Sequence, residues 1–306
     1  MIIANLVTIT VNWNLKDDTL ECIDSLLAAG QDPEDIILID NGSSDGSVIE
    51  FEKHYDDRIQ MIKNQSNLGY AQAVNQGVIL ALAKNADWLF LINNDTIVSP
   101  DIFQKFYSTI QNHPQYLIQS PLIFYHEEPN RIWFAGAHLV PGTLLTRDKF
   151  RNREYNPEIP YIYPVDFVNG CGMLVNALVF EEIGLYDPRL IMYGEEVDFC
   201  WRAKLAGYQM ATSTRAHMWH KISLSAKRDL PRTRYLKIRN QIYFYRKYSY
   251  GLQLLAHFLY SSSRCIYIMF KDILTSQTQL IKPLFQAWYS GWFVSVDQNN
   301  SAHEDI

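Results

Sequence analysis

Glu195, Glu196 and Asp198 set three carboxylates within four positions, in the stretch IMYGEEVDFCWRAKLAGY. Acids favour a helix N-terminus because of the macrodipole, which accounts for them without any chemistry. Cys200, Trp201, Leu205 and Ala206 nevertheless make one side of this helix apolar, so the segment packs. Carboxylates crowded near a core raise one another's pKa, which suits a general base. A second polar cluster, Asn93, Asn94 and Asp95, follows the apolar run from Trp88 to Ile92. Asn and Asp are common turn residues. Their hard oxygens also suit magnesium or manganese, which bind through one or two carboxylates plus substrate phosphates. Asp95 alone is a thin site, and a diphosphate would have to complete it. In AHMWHKISLS, His217 and His220 are three apart, and His220 matters if it reaches the same metal as Asp95.

Two further stretches could hold an anion or a nucleoside. In IILIDNGSSDGS an apolar strand runs into Asp40, then a loop of small residues, then a helix that Ser44 or Asp45 could cap. A carboxylate at a strand end can accept a hydrogen bond from a base N–H or a ribose hydroxyl. Neither GxGxxG nor GxxxxGK[ST] occurs, which disfavours a dinucleotide fold or a P-loop. From 221 to 248 basic residues, among them Lys227, Arg228, Arg232, Lys237 and Arg239, outnumber the single acid Asp229 and alternate with tyrosines. That stretch fits a solvated face, a diphosphate clamp, an anionic membrane surface or single-stranded nucleic acid. A net charge of -6 argues against nucleic acid as the main partner.

The elements that must position these groups read as follows. Strands are expected at Leu6–Val11, Ile36–Ile39, Ile59–Ile62 and Trp88–Ile92, and helices at Lys16–Ala29, Ser47–Tyr55 and Tyr70–Asn85. Strands alternating with helices imply an α/β fold with a parallel sheet, whose ligands sit beyond the carboxyl ends of the strands. Asp40 and Asp95 both fall there. Residues 113 to 165 are rich in Pro, Tyr and His and predict mixed strands and long loops. From about 233 to 296 the chain reads as amphipathic helix, and DQNNSAHEDI as a polar tail. The expected division is a first lobe at 1–100, a second at 101–232 and a helical extension at 233–306.

The chain has 306 residues, 48% hydrophobic and 20% charged, enough for a large core. Cys22, Cys171, Cys200 and Cys265 are scattered without zinc spacing. A reducing cytoplasm is the natural expectation. The N-terminus reads as a first strand rather than a signal peptide, and no run of 18 apolar residues predicts a membrane span.

Taken together, VTITVNWN, IILIDNGSSDGS, NQSNLGYAQAVNQG, LINNDTIV, GEEVDFCWRAKLAGY, WHKIS and KIRNQIYFYRKY resemble the motifs of family 2 glycosyltransferases with a GT-A fold. Among these, the similarity is to the bacterial rhamnosyltransferase-like branch that builds surface polysaccharides. It runs from about Leu6 to about Tyr248. The resemblance implies a Rossmann-like, mostly parallel sheet flanked by helices, with a nucleotide-binding half at 1–100 and an acceptor-binding half at 101–232. It implies that Val11, Trp13 and Asp40 hold the base, with Asn93 near the ribose. Asn169, Gly170 and Cys171 would approach the donor sugar. Asp95, with His220, would bind magnesium or manganese on the diphosphate, helped by Arg232 and Arg239. Glu196 would be the general base and Glu195 would orient the acceptor. The family's D-x-D opens on Asn93 here, its middle residue is Asn94, and the base position carries Glu where Asp is commoner.

The implied reaction is an inverting transfer from a dTDP-rhamnose or UDP-sugar donor to a hydroxyl of a glycan or lipid-linked acceptor. The partners are then the donor and the acceptor. The amphipathic C-terminal region would pack on the body, form a homodimer or touch the inner face of the cell membrane. A nucleotidyltransferase would carry a Gly-rich basic loop where VNWNLKDD stands. A processive synthase would show membrane spans and QxxRW. A non-catalytic nucleotide-sugar or glycan-binding module on the same scaffold is the reading from another class.

Overall fold

The computed structural model describes residues 5–222 and 229–295. Lys227, Arg228, the first four residues and the polar C-terminal tail lie outside the described residues. The first half alternates as expected: β1 (Leu6–Asn12), α1 (Lys16–Ala28), β2 (Ile36–Asp40), α2 (Ser47–Tyr55), β3 (Gln60–Lys63), α3 (Tyr70–Ala83) and β4 (Trp88–Asn93). These four strands run parallel in the order β3-β2-β1-β4. Every residue of β1 and β2 is buried. That explains their near-continuous apolar runs, since a parallel sheet is covered on both faces. Helix α3 lies so close to β1 that a Cβ on Gly77 would come within 2.5 Å of Ile9 Cγ2.

The chain continues through β5 (Thr96–Val98), α4 (Ile102–Asn112), β6 (Tyr116–Tyr125), β7 (Ile132–Phe134), β8 (Ala137–Leu139), β9 (Thr146–Asp148), β10 (Ile162–Val165) and β11 (Gly172–Asn176). Then come α5 (Ala177–Ile183), α6 (Glu195–Leu205) and β12 (Gln209–His220). The sheet extends from β4 through β11, β6 and β12 to β10. It is mixed beyond β4: β11 is antiparallel to both β4 and β6, whereas β12 is parallel to β6. Parallel pairing needs a crossover connection. Helices α5 and α6 supply one between β6 and β12, while residues 113–165 contain no helix.

One core cluster runs from Leu6 to Met218, so the sequence on either side of residue 100 shares one sheet and one core. A second cluster unites Leu236, Ile242, Leu284 and Trp292. It belongs to the C-terminal helices α7 (Leu230–Tyr248), α8 (Gly251–Leu274) and α9 (Ile281–Phe293). Helix α7 therefore starts slightly before the expected boundary at 233. No helix among the described residues is long and apolar enough to cross a membrane.

Candidate active site

A cleft of about 370 Å³ opens beyond the carboxyl ends of β1 and β4. Its floor is a buried polar network. Asn12, the last residue of β1, donates from Nδ2 to Asp40 Oδ2 at 2.8 Å and to Ser43 Oγ at 3.0 Å. Its Oδ1 accepts from Thr19 Oγ1 at 2.8 Å and from Asn94 Nδ2 at 3.3 Å. Asn94 Nδ2 also donates to Thr19 Oγ1 at 2.7 Å. A carboxylate at position 94 would lack those donors, so the carboxamide is needed to tie β4 to β1 and α1.

Above this floor stand Asn93, the last residue of β4, and Asp95, in the turn between β4 and β5. Tyr70 donates its hydroxyl to Asn93 Oδ1 at 3.0 Å and to the Gly170 carbonyl at 3.4 Å. Burial, then the nearby Glu195, push the Tyr70 pKa well up, so it stays a donor. Asp95 meets His220 with Oδ1 and Nε2 3.1 Å apart, both side chains nearly fully buried. The register explains the meeting: β12 pairs antiparallel with β5, and His220 stands opposite Thr96. Trp133 packs edge-on against the His220 ring, centroids 4.6 Å apart.

The opposite wall is formed by residues 169–171 and the start of α6. Asn169 Oδ1 accepts from the Cys171 N–H at 3.0 Å, and the Cys171 carbonyl accepts from the Asn93 N–H at 3.1 Å. Burial holds the Cys171 thiol well above its ordinary pKa, so it is a packed thiol rather than a nucleophile. A Cβ on Gly170 would lie 3.3 Å from Glu196 Cβ. Glu195 and Glu196 both line the cleft. Burial raises both pKa values, that of Glu195 much the further because the neighbouring Glu196 charge adds to it. Glu196 is eased by backbone N–H groups, with Gly194 N–H donating to Oε2 at 3.1 Å. Asp198 faces away, accepting from Arg202 at 2.8 Å, Lys247 at 2.6 Å and Tyr248 at 2.8 Å.

Val11, Trp13, Asn93, Asp95, Asn169, Gly170, Cys171, Glu195, Glu196 and His220 thus share one cleft. Asp40, Arg232 and Arg239 are not among the residues that line it. Asp40 is 1% exposed, and its oxygens accept from Asn12 and from the Ser43 N–H at 3.0 Å. It holds together the loop that follows β2. Arg232 sits in the first turn of α7, where Asp229 accepts from its backbone N–H at 3.0 Å. Arg239 is 1% exposed and donates to the carbonyls of Arg189 at 3.1 Å and Leu190 at 3.4 Å. The cation that does line the cleft is Lys237, whose Nζ lies 4.6 Å from the centre of the Tyr193 ring. Burial, with Arg151 nearby, lowers its pKa, while Glu196 works the other way. Two residues apart on a helix point about 200° apart, so 237 and 239 cannot both face the cleft. The signal lay in the period: Tyr235, Ile238, Arg239 and Ile242 form one buried stripe.

Sequence reasoning also missed Tyr70, Trp133, Asn41 and Asn67 as cleft residues. No group of three His, Cys, Asp or Glu side chains gathers as a metal cage among the described residues. The donors present still fit a divalent cation completed by substrate oxygens. Asp95 offers a carboxylate, and the buried His220 ring holds Nε2 3.1 Å from it, so a carboxylate oxygen and an imidazole nitrogen stand side by side.

The description Glycosyl transferase family 2 belongs to a family model that matches residues 7–184. The low-salt glycan biosynthesis hexosyltransferase Agl10 of Haloferax volcanii is 27% identical over 205 residues, 64% of this chain and 60% of that protein. The N-acetylglucosaminyl-diphospho-decaprenol L-rhamnosyltransferase of Mycobacterium tuberculosis is 27% identical over 223 residues, 67% of this chain and 72% of that protein. Among solved structures, GalNAc-T7 with UDP, GalNAc and Mn2+ superposes with a TM-score of 0.61 at 14% identity, covering 100% of this chain and 59% of that one. S. aureus TarS 1-349 with UDP gives 0.51 at 15% identity over 77% of this chain and 65% of that one. At such identities the two structures speak to the fold alone. The match spans under two thirds of the Haloferax protein and of both structures.

Proposed function

Since this chain belongs to family 2 of the glycosyl transferases, we propose that it moves a sugar from a nucleoside-diphosphate donor to a hydroxyl of a glycan or lipid-linked acceptor, with inversion at the anomeric carbon. The observation that carries this reading is one cleft holding both the Glu195–Glu196 pair and the Asp95–His220 pair. The two halves of the reaction need these two halves of the site.

The acceptor oxygen attacks the anomeric carbon as its proton passes to Glu196, a contribution of about 10²–10⁴-fold for a positioned base. The bond from that carbon to the diphosphate oxygen breaks, and the nucleoside diphosphate leaves with the electron pair. Asp95 and His220 would hold magnesium or manganese, which when bound supplies charge to offset that developing on the leaving group. Lys237 lines the same cleft and, when protonated, would add a second positive charge there. Burial and the Glu196 charge push the Glu195 pKa up further than that of Glu196, so Glu196 is the carboxylate that ionises first and can accept a proton. Tyr70 orients the Asn93 carboxamide and leaves its NH2 group to donate toward the donor ribose. One base with direct displacement implies inversion.

The donor reading is dTDP-rhamnose or a UDP-sugar, the first supported by the rhamnosyl name of the mycobacterial relative. A role in surface polysaccharide synthesis is in keeping with the glycan biosynthesis in the name of the Haloferax relative, and a lipid-linked acceptor with the diphospho-decaprenol in that of the mycobacterial one. All four cysteines are unpaired and buried, which suits the reducing cytoplasmic side of the membrane. Asn93 in place of the family's first acid favours one second reading, a module that binds nucleotide sugar without turnover.

Isothermal titration of UDP, dTDP and GDP, with and without manganese, tests the site on the wild type and on Asp95→Ala. One diphosphate should bind tightly only with metal, and the variant should lose it. Binding of none would sink the nucleotide-sugar reading. Tight binding with no hydrolysis or transfer of any sugar from the matching donor would favour the module.

A further inference from the structure

One part of the cleft pairs aromatic rings with cations. Tyr193 stands just before the two glutamates and Trp133 packs on His220, and both rings line the cleft. Lys237 Nζ lies 4.6 Å from the centre of the Tyr193 ring, and the Arg151 guanidinium carbon lies 5.8 Å or less from that of Trp133, at 5.7 Å. The two cations come from distant parts of the chain, α7 and the loop after β9. Packing brings those parts together, because Leu144, between β8 and β9, is buried in one cluster with Leu236 of α7.

Neither cation is fully engaged. Lys237 forms no ion pair among the described residues. Asp148 accepts from Arg151 Nη1 at 3.1 Å, and the rest of the guanidinium makes no hydrogen bond among the described residues. Burial, then the Arg151 charge, holds the Lys237 pKa below its ordinary value. Like charges close enough to disfavour one another are relieved by an anion bound beside both. The loop itself is basic: from 147 to 153 it carries Arg147, Lys149, Arg151 and Arg153 against Asp148, on a chain whose net charge is -6.

The backbone that delivers Tyr193 is strained. Ile191 adopts φ 62° and ψ -63°, and the Met192 N–H donates to the Leu190 carbonyl at 2.6 Å, which makes a γ-turn of the rare kind. A β-branched residue is out of place there, and Tyr193 follows at φ 69°. Such strain persists where the surroundings hold it, and it gathers at ligand clamps. Across the cleft, the Trp133 indole N–H has no hydrogen-bond partner among the described residues. Apolar rings beside a few polar donors suit a pyranose, whose C–H face packs on the rings while its oxygens take the donors.

We propose that Trp133 and Tyr193 bind the acceptor's terminal sugar, and that Lys237 and Arg151 receive a negative charge which that sugar carries. The acceptor is then an anionic saccharide, a sugar borne on phosphate or a uronic acid, rather than a neutral glycan. This rests on the transferase reading and names its acceptor class.

Titration into protein already loaded with manganese and whichever of UDP, dTDP and GDP it binds tests this, because the diphosphate site is then filled. Glucose and N-acetylglucosamine are compared with their 1-phosphates and with glucuronate. The charged sugars should bind about tenfold or more tighter than the neutral ones, and the tighter of phosphate and carboxylate identifies the charge. High salt should shrink that advantage. Lys237 is also expected to serve the diphosphate, so the decisive variant is R151Q, which should remove most of the advantage. W133L should weaken charged and neutral sugars in equal proportion. Melting curves and the nucleotide titration check that each variant is folded and loaded. If W133L does not fold, R151Q and the salt dependence decide. The proposal is overturned if charged and neutral sugars bind alike, or if R151Q keeps the full advantage. If no nucleoside diphosphate binds the wild type, the transferase reading fails and the subsite falls with it. If one binds and the charged sugars gain nothing, the subsite alone falls.

Discussion

Glu195 and Glu196 are neighbours in the chain and differ in what surrounds their oxygens. Glu196 receives backbone N–H groups at the helix start, whereas Glu195 Oε2 is buried without a hydrogen-bond partner among the described residues. Substitution should therefore separate them. Glu196→Gln should lower kcat by about 10²–10⁴-fold at unchanged nucleotide affinity, measured by transfer assay and titration. Because the Glu196 pKa is raised above its ordinary 4.5 by burial, activity should fall on an acid limb displaced upward from that value. Glu195 has a stability consequence. Its folded pKa lies well above 4.5, so the folded state holds a proton that the unfolded chain gives up. That contribution is fully present below the unfolded value and is lost as pH rises through the folded one. Glu195→Gln should raise the melting temperature at about pH 8 and change it little at about pH 4. A flat difference across that range would show that the carboxyl is not held protonated.

Helix α7 acts on the site from behind. Asn240 Nδ2 lies within hydrogen-bond reach of the carbonyls of Leu190 at 2.8 Å, Met192 at 2.9 Å and Tyr193 at 2.6 Å. The loop it grips carries positive φ at Ile191 (62°) and Tyr193 (69°), conformations that side chains seldom adopt unless held. Asn240→Ala should cost about 1–3 kcal/mol in denaturant unfolding and should slow turnover, because Gly194 and the two glutamates follow directly. Lys237→Ala should weaken diphosphate binding by about tenfold with little change in stability, whereas Arg239→Ala should do the reverse. Equal loss of binding in both would return Arg239 to the diphosphate. This is where the sequence was least legible. The strands, the helices of the first half and the cleft's carboxylates could be read from period and residue type. Whether Asp40 offers its oxygens to a ligand or spends them on Asn12 and Ser43 could not, because that depends on partners far away in the chain. The same holds for Asn94, whose partners lie on β1 and α1.

At the scale of the whole molecule, the helical extension is part of the fold. Gly291 of α9 packs so tightly on α7 that an added Cβ would sit 2.7 Å from Ile242 Cβ. Ending the chain after Tyr250 should uncover Leu236, Ile242 and Tyr245 and yield aggregated protein by size-exclusion chromatography. A monodisperse, melting-competent fragment would show that α8 and α9 are dispensable to the body. The division of labour expected at residue 100 is likewise bridged, because β11 sits between β4 and β6 and one core crosses the boundary.

The pairing of β5 with β12 has a consequence for synthesis of the chain. Asp95 emerges from the ribosome well over a hundred residues before His220, the side chain it meets, and β4 waits for β11 to cover its open edge. A nascent chain that has completed the first four strands therefore displays an unpaired strand edge and half of the Asp95–His220 pair. Translation must pass residue 176 before the edge is closed and residue 220 before Asp95 meets its partner. Ribosome-bound chains halted between 101 and 171 should accordingly recruit holdase chaperones and bind no nucleotide, and chains released beyond α7 should do neither.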